Sequence, residues 1–425
     1  MKSTRRGLLL GGLGAAAVAA VPSMWPALGA PVTAGSPVDP SFFGLHDATG
    51  LSWSRLAPGS VRLWDVGVTW ADIEVSPGQY DFMRLHQLLS QFGIDAPGAP
   101  QVTYVLGHTP LFYGTQPGPS HADPPPLDRL DTFVRRLVTE METSHPGKVG
   151  CYQVWNEPSD PQFFKGTPAQ LVAMTQTVYL AVKAVAPNAT VIAPSFPTRL
   201  TYQQNWFRDY LTSTVSGVHP WNWFDRVGFS MYPPVGSGPE AMLGLLATMK
   251  GIMRTAGVPV GKQVAHASEI NYDVGKSGGP ALLPDAAQVA FTMRTYLVGA
   301  IAGFERMHWY RYDWGYVDGK PLGNTYWTDP VDHSVVTPAG LAFNQVKSWM
   351  NGTFMGGQAT PTSLCRVSIG SNISILWNPA GSSTVPASVY GQRVLRSDGS
   401  GAYYQAWQSI PVDYRPIWVM KAFTK

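Results

Sequence analysis

The stretch Cys151-Tyr152-Gln153-Val154-Trp155-Asn156-Glu157-Pro158 shows how the chain is built. Its first five residues are mostly apolar and predict a buried strand, and a polar pair and a proline then turn the chain away from the sheet. A helical pattern follows from Thr167-Pro168 to Ala186, where threonine can cap free backbone amides and proline fits the first helical position. Residues 151–186 are therefore predicted to form one strand followed by one helix.

The same alternation extends in both directions from this unit. Short apolar runs bounded by loop signals predict eight strands, at Phe42 to Leu45, Ser60 to Trp64, Gln101 to Leu106, Cys151 to Trp155, Thr190 to Ala193, Arg226 to Ser230, Gln263 to Ala267 and Arg306 to Tyr310. Helical periodicity is clearest at Leu127 to Thr143, Pro168 to Ala186, Pro239 to Ala256, Pro284 to Ala302 and Pro338 to Met350. Eight strands alternating with helices are typical of an α/β protein with a (β/α)₈ TIM barrel, which we expect at residues 40–352.

After Met350 the pattern changes to short β-rich stretches separated by Gly, Ser and Asn. Ser368 to Trp377 and Ile410 to Met420 are the clearest of them. We expect a small β-sandwich at residues 353–425. Because no low-complexity linker precedes it, we expect it to pack directly on the barrel and to support it.

The composition excludes some classes of function. The chain has 425 residues, 44% of them hydrophobic, and a formal net charge of +3, so it can bury a large core and carries no basic face for nucleic acid. Its 12% aromatic content, with 37 Pro and 44 Gly, favours flat side chains on ordered loops, which suit a sugar or a similar hydroxylated ligand. Two cysteines, Cys151 and Cys365, form no disulfide framework, and the sequence leaves their pairing open.

Residues 1–30 are predicted to be an export signal. Arg5-Arg6 precedes an apolar run, Gly7 to Val21, that is too short to span a bilayer comfortably. The arginine pair, preceded by Ser-Thr and followed by leucines, resembles a twin-arginine signal, which would place the protein outside the cell or at its cell wall. A retained N-terminal anchor is the alternative. No later apolar stretch is long enough for a transmembrane helix.

Two glutamates follow the fourth and the seventh predicted strands. Glu157 ends the stretch quoted above, and Glu269 ends Val264-Ala265-His266-Ala267-Ser268-Glu269. Side chains three strands apart in an eight-stranded barrel can face each other across its mouth. Glycoside hydrolysis needs such a pair, one carboxyl to protonate the departing oxygen and one carboxylate to attack or to activate water.

These residues resemble those of the clan A retaining glycoside hydrolases, which are (β/α)₈ barrels with an Asn-Glu-Pro motif after strand four. The resemblance implies that Glu157 is the acid/base, with a raised pKa, and that Glu269 is an ionised nucleophile. It requires no metal or cofactor. It also implies four binding residues: an asparagine on the hydroxyl next to the reacting carbon, an arginine and a tyrosine beside the nucleophile, and an aromatic floor, which match Asn156, Arg62, Tyr232 and Trp309.

A narrower resemblance concerns the segment Val68 to Phe82, which is similar to a Trp/Glu/Pro-Gly-Tyr-Asp-Phe segment of xylosidase-type enzymes in families 39, 5 and 10. With the export signal, the chain also resembles secreted actinobacterial exo-β-galactofuranosidases that act on cell-wall galactan. A β-xylosidase or an endo-glycanase of the same clan is an alternative, and so is a non-catalytic carbohydrate-binding barrel. The substrate would be an oligo- or polysaccharide, and we expect a monomer.

Other polar and aromatic residues leave two interpretations open. His46, His108 and His266 follow or end strands and would bind sugar hydroxyls or be satisfied core histidines, while their irregular spacing disfavours a metal site. In the loop 311–336, aromatic residues would either stack on sugar or pack within the loop: Trp314, Tyr316, Tyr326 and Trp327. Asp65 and Asp72 are predicted to form a charge network with Arg62. Five acids are predicted to be solvated or ion-paired at the surface: Glu74, Glu140, Glu142, Glu240 and Glu305.

Overall fold

The computed structural model describes residues 30–46, 56–277, 279–313, 316–317, 320–329 and 331–421. Residues 1–29 of the predicted export signal, and Trp314, lie outside the described residues. Within the described ranges, no helix combines the length and the apolar character needed to cross a membrane.

Eight parallel strands close into a barrel, so the predicted TIM barrel is confirmed. Each strand pairs with the next along the chain, and the eighth pairs with the first. The strands are β1 (Phe43–His46), β2 (Ser60–Leu63), β3 (Gln101–Val105), β4 (Cys151–Gln153), β5 (Thr190–Pro197), β6 (Arg226–Ser230), β7 (Ala265–Ile270) and β8 (Arg306–Tyr310).

All eight predicted strands exist, and two of them, β6 and β8, have the predicted bounds. Strand β5 continues four residues beyond its predicted end because Pro194-Ser195, a loop signal in the sequence, is accommodated by an irregular register between Ile192 and Ser195. Strand β7 starts and ends later than predicted. Glu269 therefore lies within β7, beside a register shift, and not beyond its end.

Nine α-helices occur in the described ranges: α1 (Trp70–Ile73), α2 (Met83–Gln91), α3 (Leu127–Ser144), α4 (Pro168–Val185), α5 (Thr201–Thr212), α6 (Ala241–Ala256), α7 (Asp285–Ala302), α8 (Pro338–Trp349) and α9 (Ala387–Tyr390). The five predicted helices are present to within two residues at each end. The hydroxyl of Thr167 accepts from the amide of Gln170, as predicted, and the hydroxyl of Thr337 accepts from the amide of Gly340 in the same way.

The barrel interior is lined by polar side chains as well as apolar ones. Arg306 on β8 points inward, with Nη1 3.0 Å from the thiol sulfur of Cys151. Below the mouth, His266 on β7 has Nε2 3.6 Å from a carboxylate oxygen of the fully buried Glu305. Glu305 also pairs with Arg226. The prediction that Glu305 is a surface acid is therefore wrong, because Arg226 compensates its charge inside the protein.

The C-terminal residues form an antiparallel sheet that includes a strand from the N-terminal side of the barrel. In spatial order its seven strands are Ser36–Pro37, Thr353–Gln358, Cys365–Ile369, Ile373–Trp377, Ile417–Met420, Arg393–Arg396 and Gly401–Tyr403. A two-stranded sheet, Ser383–Pro386 with Ser409–Val412, packs on it through a core that contains Leu376, Val394 and Ile410. Each of the two predicted long β-stretches is in fact two strands. The first is broken by a turn in which Gly370 has a φ of +52°.

Buried polar contacts join this sheet to the barrel. The indole N–H of Trp377 donates to a carboxylate oxygen of Glu240 at 2.8 Å, and Arg294 on α7 pairs with both oxygens of the same carboxylate. Glu240 is thus a buried link and not a surface acid. Glu74 is also buried, accepting from the Trp70 indole at 2.6 Å and the Tyr113 hydroxyl at 2.9 Å.

Candidate active site

The polar pair after β4 is held in a strained turn at the barrel mouth. Asn156 forms a bridge with Ser195 of β5, and the Glu157 amide donates to the Ser195 carbonyl at 2.9 Å. Glu157 has a φ of +42°, a value that non-glycine residues rarely adopt. His108 after β3 (φ +61°) and Asp273 after β7 (φ +57°) share this property, so strained non-glycine residues recur where the strands end.

The carboxylate of Glu269 is held by two short hydrogen bonds. Arg62 Nη1 donates to Oε1 at 2.6 Å, and the Tyr232 hydroxyl donates to Oε2 at 2.6 Å. Only 4% of Glu269 is exposed. Burial, followed by the charge of Glu269, raises the pKa of Tyr232 well above its ordinary value, so the hydroxyl keeps its proton and remains a donor.

Arg62 on β2 connects Glu269 to the Asn156-Glu157 turn. Its Nη2 donates to the Asn156 amide oxygen at 2.6 Å, and its Nε donates to the side-chain oxygen of Gln153 at 3.1 Å. Because a guanidinium can only donate, it fixes the orientation of the Asn156 amide with its NH₂ directed away from Arg62. Arg62 Nη1 also lies 3.2 Å from Nδ1 of His46, which must then be an unprotonated acceptor.

The environment of Glu157 differs from that of Glu269. Burial, and then the negative charge of Glu269, raise the pKa of Glu157 to about 8. A hydrogen bond with Ser230 and the charge of Arg62 oppose this shift only in part. Glu157 therefore holds a proton at neutral pH, while two donors converge on the carboxylate of Glu269. One carboxyl group is prepared to give a proton, and the other to act as a nucleophile or a base.

The structure brings most of the predicted site residues together. Glu157, Glu269, Asn156, Arg62 and Tyr232 form one connected cluster. His108 lies at the end of β3 with its ring 4.7 Å from that of Trp64, and burial lowers its pKa. Its predicted contact with substrate remains a prediction.

Trp309 does not lie at the site, and its assignment as the aromatic floor is corrected. It is fully buried and stacks on Trp327, with ring centroids 4.7 Å apart. Arg306 and His308 both point into the barrel, where His308 contacts Ser60. Because side chains alternate along a strand, Trp309 points outward. The next residue, Tyr310, points inward instead: its ring lies 4.7 Å from that of His46 and 6.3 Å from that of Tyr232.

The other open interpretations are partly resolved. His46 belongs to the site, whereas His266 lies deeper, beside Glu305, where burial lowers its pKa. Trp327 is fully buried, as the packing interpretation predicts, and Tyr326 is half-buried. Among the described residues, no group of three or more His, Cys, Asp or Glu is arranged to hold a metal ion.

Sequence reasoning missed Gln153, Ser230 and Tyr310. Gln153 orients Arg62 and donates to the Trp155 carbonyl at 2.7 Å. A polar residue within an apolar strand was the signal that could have identified it. Tyr310 could have been found by fixing the inward register of β8 on Arg306, since every second residue then points into the barrel.

Comparisons with known proteins concern mainly the fold. No protein-family model matches the sequence, and no curated protein resembles it significantly. The chain is similar to the solved structure of a family 39 glycoside hydrolase from Bacteroides cellulosilyticus WH2, with a TM-score of 0.68 and 16% identity, covering 92% of this chain and 83% of that one.

Two further solved structures give the same result. A glucosidase from Croceicoccus marinus has a TM-score of 0.61 and 15% identity, covering 92% of this chain and 97% of that one. A family 39 β-xylosidase from Caulobacter crescentus has a TM-score of 0.62 and 13% identity, with coverage of 92% and 98%. At these identities the likeness shows the fold, a TIM barrel with its attached β-sheet. The galactofuranosidase resemblance stays a prediction.

Proposed function

We propose that this protein is a retaining glycoside hydrolase, with Glu157 as acid/base and Glu269 as nucleophile. The observation that carries the proposal is the pair of carboxyl groups in opposite states: Glu157, whose pKa is raised to about 8, and Glu269, which accepts 2.6 Å hydrogen bonds from Arg62 and Tyr232. Structural neighbours that are glycoside hydrolases support the same class of reaction.

In the first step, Glu157 donates its proton to the glycosidic oxygen while a carboxylate oxygen of Glu269 attacks the anomeric carbon. The bond between that carbon and the leaving oxygen breaks, and a glycosyl ester of Glu269 forms. Arg62 and Tyr232 hold the attacking carboxylate in place, so little reorganisation is needed when it reacts.

In the second step Glu157 acts as a base, because the charge next to it has changed. Esterification removes the negative charge of Glu269, which was one cause of the raised pKa of Glu157. Glu157, which gave its proton to the leaving oxygen in the first step, therefore stays a carboxylate and takes a proton from water as the water oxygen attacks the anomeric carbon. The ester bond breaks, Glu269 regains its charge, and the sugar leaves with its original anomeric configuration.

The remaining predicted residues have binding roles in this proposal. Asn156, whose amide NH₂ is directed away from Arg62, binds the hydroxyl next to the reacting carbon. His108 binds a sugar hydroxyl at the end of β3. Trp314, which lies outside the described residues, offers a stacking surface.

The sugar and the location are the finer parts of the proposal. The sequence resemblance and the predicted export signal favour a β-galactofuranoside of cell-wall galactan, cleaved outside the membrane. The Caulobacter crescentus neighbour is a β-xylosidase, which favours a β-xyloside as the second candidate.

Hydrolysis of aryl β-glycosides tests the activity. The panel contains furanosides and pyranosides, β-galactofuranoside and β-xyloside among them, and the first product anomer is identified by proton NMR. We expect one glycoside to be cut with retention and Glu269→Gln to lose that cleavage. Glu157→Gln should lose it for every leaving group that needs a proton. An inverted first product, or full activity in Glu269→Gln, would exclude the double displacement.

A further inference from the structure

Asp65 is a carboxylate at the barrel mouth that the reaction described above does not use. It follows Trp64 at the end of β2, three residues after Arg62. One of its oxygens, Oδ2, accepts from the Tyr310 hydroxyl at 2.9 Å and lies 3.5 Å from Nε2 of His46. Two residues from neighbouring strands therefore fix the position of this carboxylate.

The second oxygen of Asp65, Oδ1, is the feature of this side chain that bears on ligand binding. About a third of the side chain, 32%, is exposed, and Oδ1 accepts no hydrogen bond from the described residues. Burial alone would raise the pKa of Asp65, but the contact with His46, the hydrogen bond from the Tyr310 hydroxyl and the charge of Arg62 lower it. The side chain is thus an ionised acceptor at neutral pH, positioned before any ligand arrives.

Asp65 lies on the same side of the mouth as Glu269. The Tyr310 ring stands between them: it contacts His46 at 4.7 Å and the Tyr232 ring at 6.3 Å, and Tyr232 in turn binds Glu269. The charges of both Asp65 and Glu269 act on the Tyr310 hydroxyl. Because Tyr310 binds Asp65 and adjoins Tyr232, which binds Glu269, a sugar held at Glu269 lies next to the side chains that position Asp65.

The charges facing this region favour a neutral sugar. Arg62 is paired with Glu269 at 2.6 Å, and Arg311, the next residue after β8, has Asp313 at 3.5 Å. The charge of Asp65 is therefore in excess among the described residues. A carboxylate in this position accepts from sugar hydroxyls and repels an acidic sugar.

We propose that Asp65 is a specificity-determining residue that binds a hydroxyl of the glycone, the sugar transferred to Glu269, and selects neutral glycones over uronic acids. This inference rests on the proposed function. It names the substrate class by its chemistry: an uncharged sugar with a free hydroxyl opposite Asp65.

The test combines one substitution in the protein with the removal of one hydroxyl from the substrate, as in a double-mutant cycle. Asp65→Asn is compared with the wild type on the aryl glycoside that the wild type cuts fastest and on its monodeoxy analogues. We expect kcat/KM to fall about 10- to 100-fold for Asp65→Asn on the full sugar. On the one analogue that lacks the bound hydroxyl, the wild type should lose a similar factor and Asp65→Asn should lose little more.

Two controls separate this role from a structural one. Asp398→Asn, an exposed acid of the C-terminal sheet, should leave kcat/KM unchanged. The thermal midpoint reports on folding, and Asp65→Ser provides a second variant if Asp65→Asn unfolds. An equal loss on every analogue would overturn the proposal, since Asp65 would then act only through His46 and Arg62. An unchanged kcat/KM would overturn it as well.

A binding measurement keeps this proposal distinct from the proposed function. In the Glu157→Gln background, calorimetry gives the Kd for the neutral aryl glycosides and for the aryl glucuronide. We expect Asp65→Asn to raise Kd for the neutral sugar and to reduce the preference over the glucuronide. If the wild type cuts no glycoside but the Kd values shift in this way, the proposed hydrolysis is rejected and the binding role of Asp65 is supported. If Kd is the same with and without Asp65→Asn, the binding role of Asp65 is rejected.

Discussion

Arg62 Nη1 lies 2.6 Å from Glu269 Oε1, and Nη2 of the same guanidinium lies 2.6 Å from the amide oxygen of Asn156. One side chain of β2 thus holds a residue of β7 and a residue next to Glu157. Because all three are buried, the contact sets the relative position of the two proposed catalytic groups and not only the charge of one of them.

Arg62→Lys should therefore impair both catalysis and stability. Lysine keeps the charge but cannot reach Glu269, Asn156 and Gln153 together. We expect kcat/KM to fall on the order of 100-fold and unfolding to require about 3 kcal/mol less, as for other broken buried pairs. Steady-state kinetics and urea denaturation measure the two effects. The matched control is Arg135→Lys, whose pair with Asp131 is exposed; a similar loss there would show that the effect is not specific to the site.

The pH profile should reveal the proton on Glu157. Its acid form gives the proton to the leaving oxygen, so kcat/KM is retained below the raised pKa and declines as the pH increases through about 8. With a dinitrophenyl leaving group, which needs no protonation, Glu157→Gln should lack this decline. A wild-type profile that falls between pH 4 and 5 would mean that the pKa of Glu157 is not raised.

The same proton should make stability depend on pH. Burial and the charge of Glu269 raise the pKa of Glu157 to about 8 from the ordinary 4.5, so the folded state binds the proton more tightly than the unfolded state. Stability should then fall between these two pH values. The thermal midpoint of Glu157→Gln should match that of the wild type near pH 4 and exceed it by a few degrees above pH 8.

Glu305→Gln is a control in which the effect of pH on stability should have the opposite sign. Burial alone would raise the pKa of Glu305, but His266 and Arg226 lower it to about 2. Its ionised form therefore stabilises the protein above pH 4.5 and loses this effect as the pH falls toward 2. The substitution should lower the thermal midpoint at pH 7. If both variants shift the midpoint in the same direction at pH 8, the electrostatic account of Glu157 is wrong.

The contact between the C-terminal sheet and the barrel should contribute to stability but not to chemistry. Trp377→Phe removes the 2.8 Å hydrogen bond to Glu240 and should cost about 1–3 kcal/mol while leaving kcat of the folded protein unchanged. Trp407→Phe, at a position that is 83% exposed, should alter neither quantity. Equal effects of the two variants on urea denaturation would argue against a supporting role for the sheet.

The barrel and most of the site could be predicted because each depends on local patterns. Strand and helix periodicities determine the architecture, and polar residues after apolar runs identify where strands end, as at Asn156 and Glu157. The assignment of Trp309 failed because it depends on which face of the strand points into the barrel. The inward face of β8 decides between Trp309 and Tyr310. Alternation along the strand allows either residue to face the mouth, and only the inward position of Arg306 selects Tyr310.

The buried acids were missed for a related reason. Glu240 and Glu305 look like ordinary surface residues in the sequence, because their partners are distant in the chain: Arg294 is 54 residues from Glu240, and Arg226 is 79 residues from Glu305. Only the folded chain shows that these charges are compensated.

Azide rescue distinguishes directly between the roles of Glu157 and Glu269. Glu157→Ala and Glu269→Ala are each given azide and a dinitrophenyl glycoside of the sugar that the wild type cuts. We expect an inverted glycosyl azide from Glu269→Ala, since azide replaces the missing nucleophile, and a retained one from Glu157→Ala, since azide attacks the ester on Glu269. The opposite pair of products would exchange the roles. An inverted azide from both variants would contradict the covalent intermediate itself.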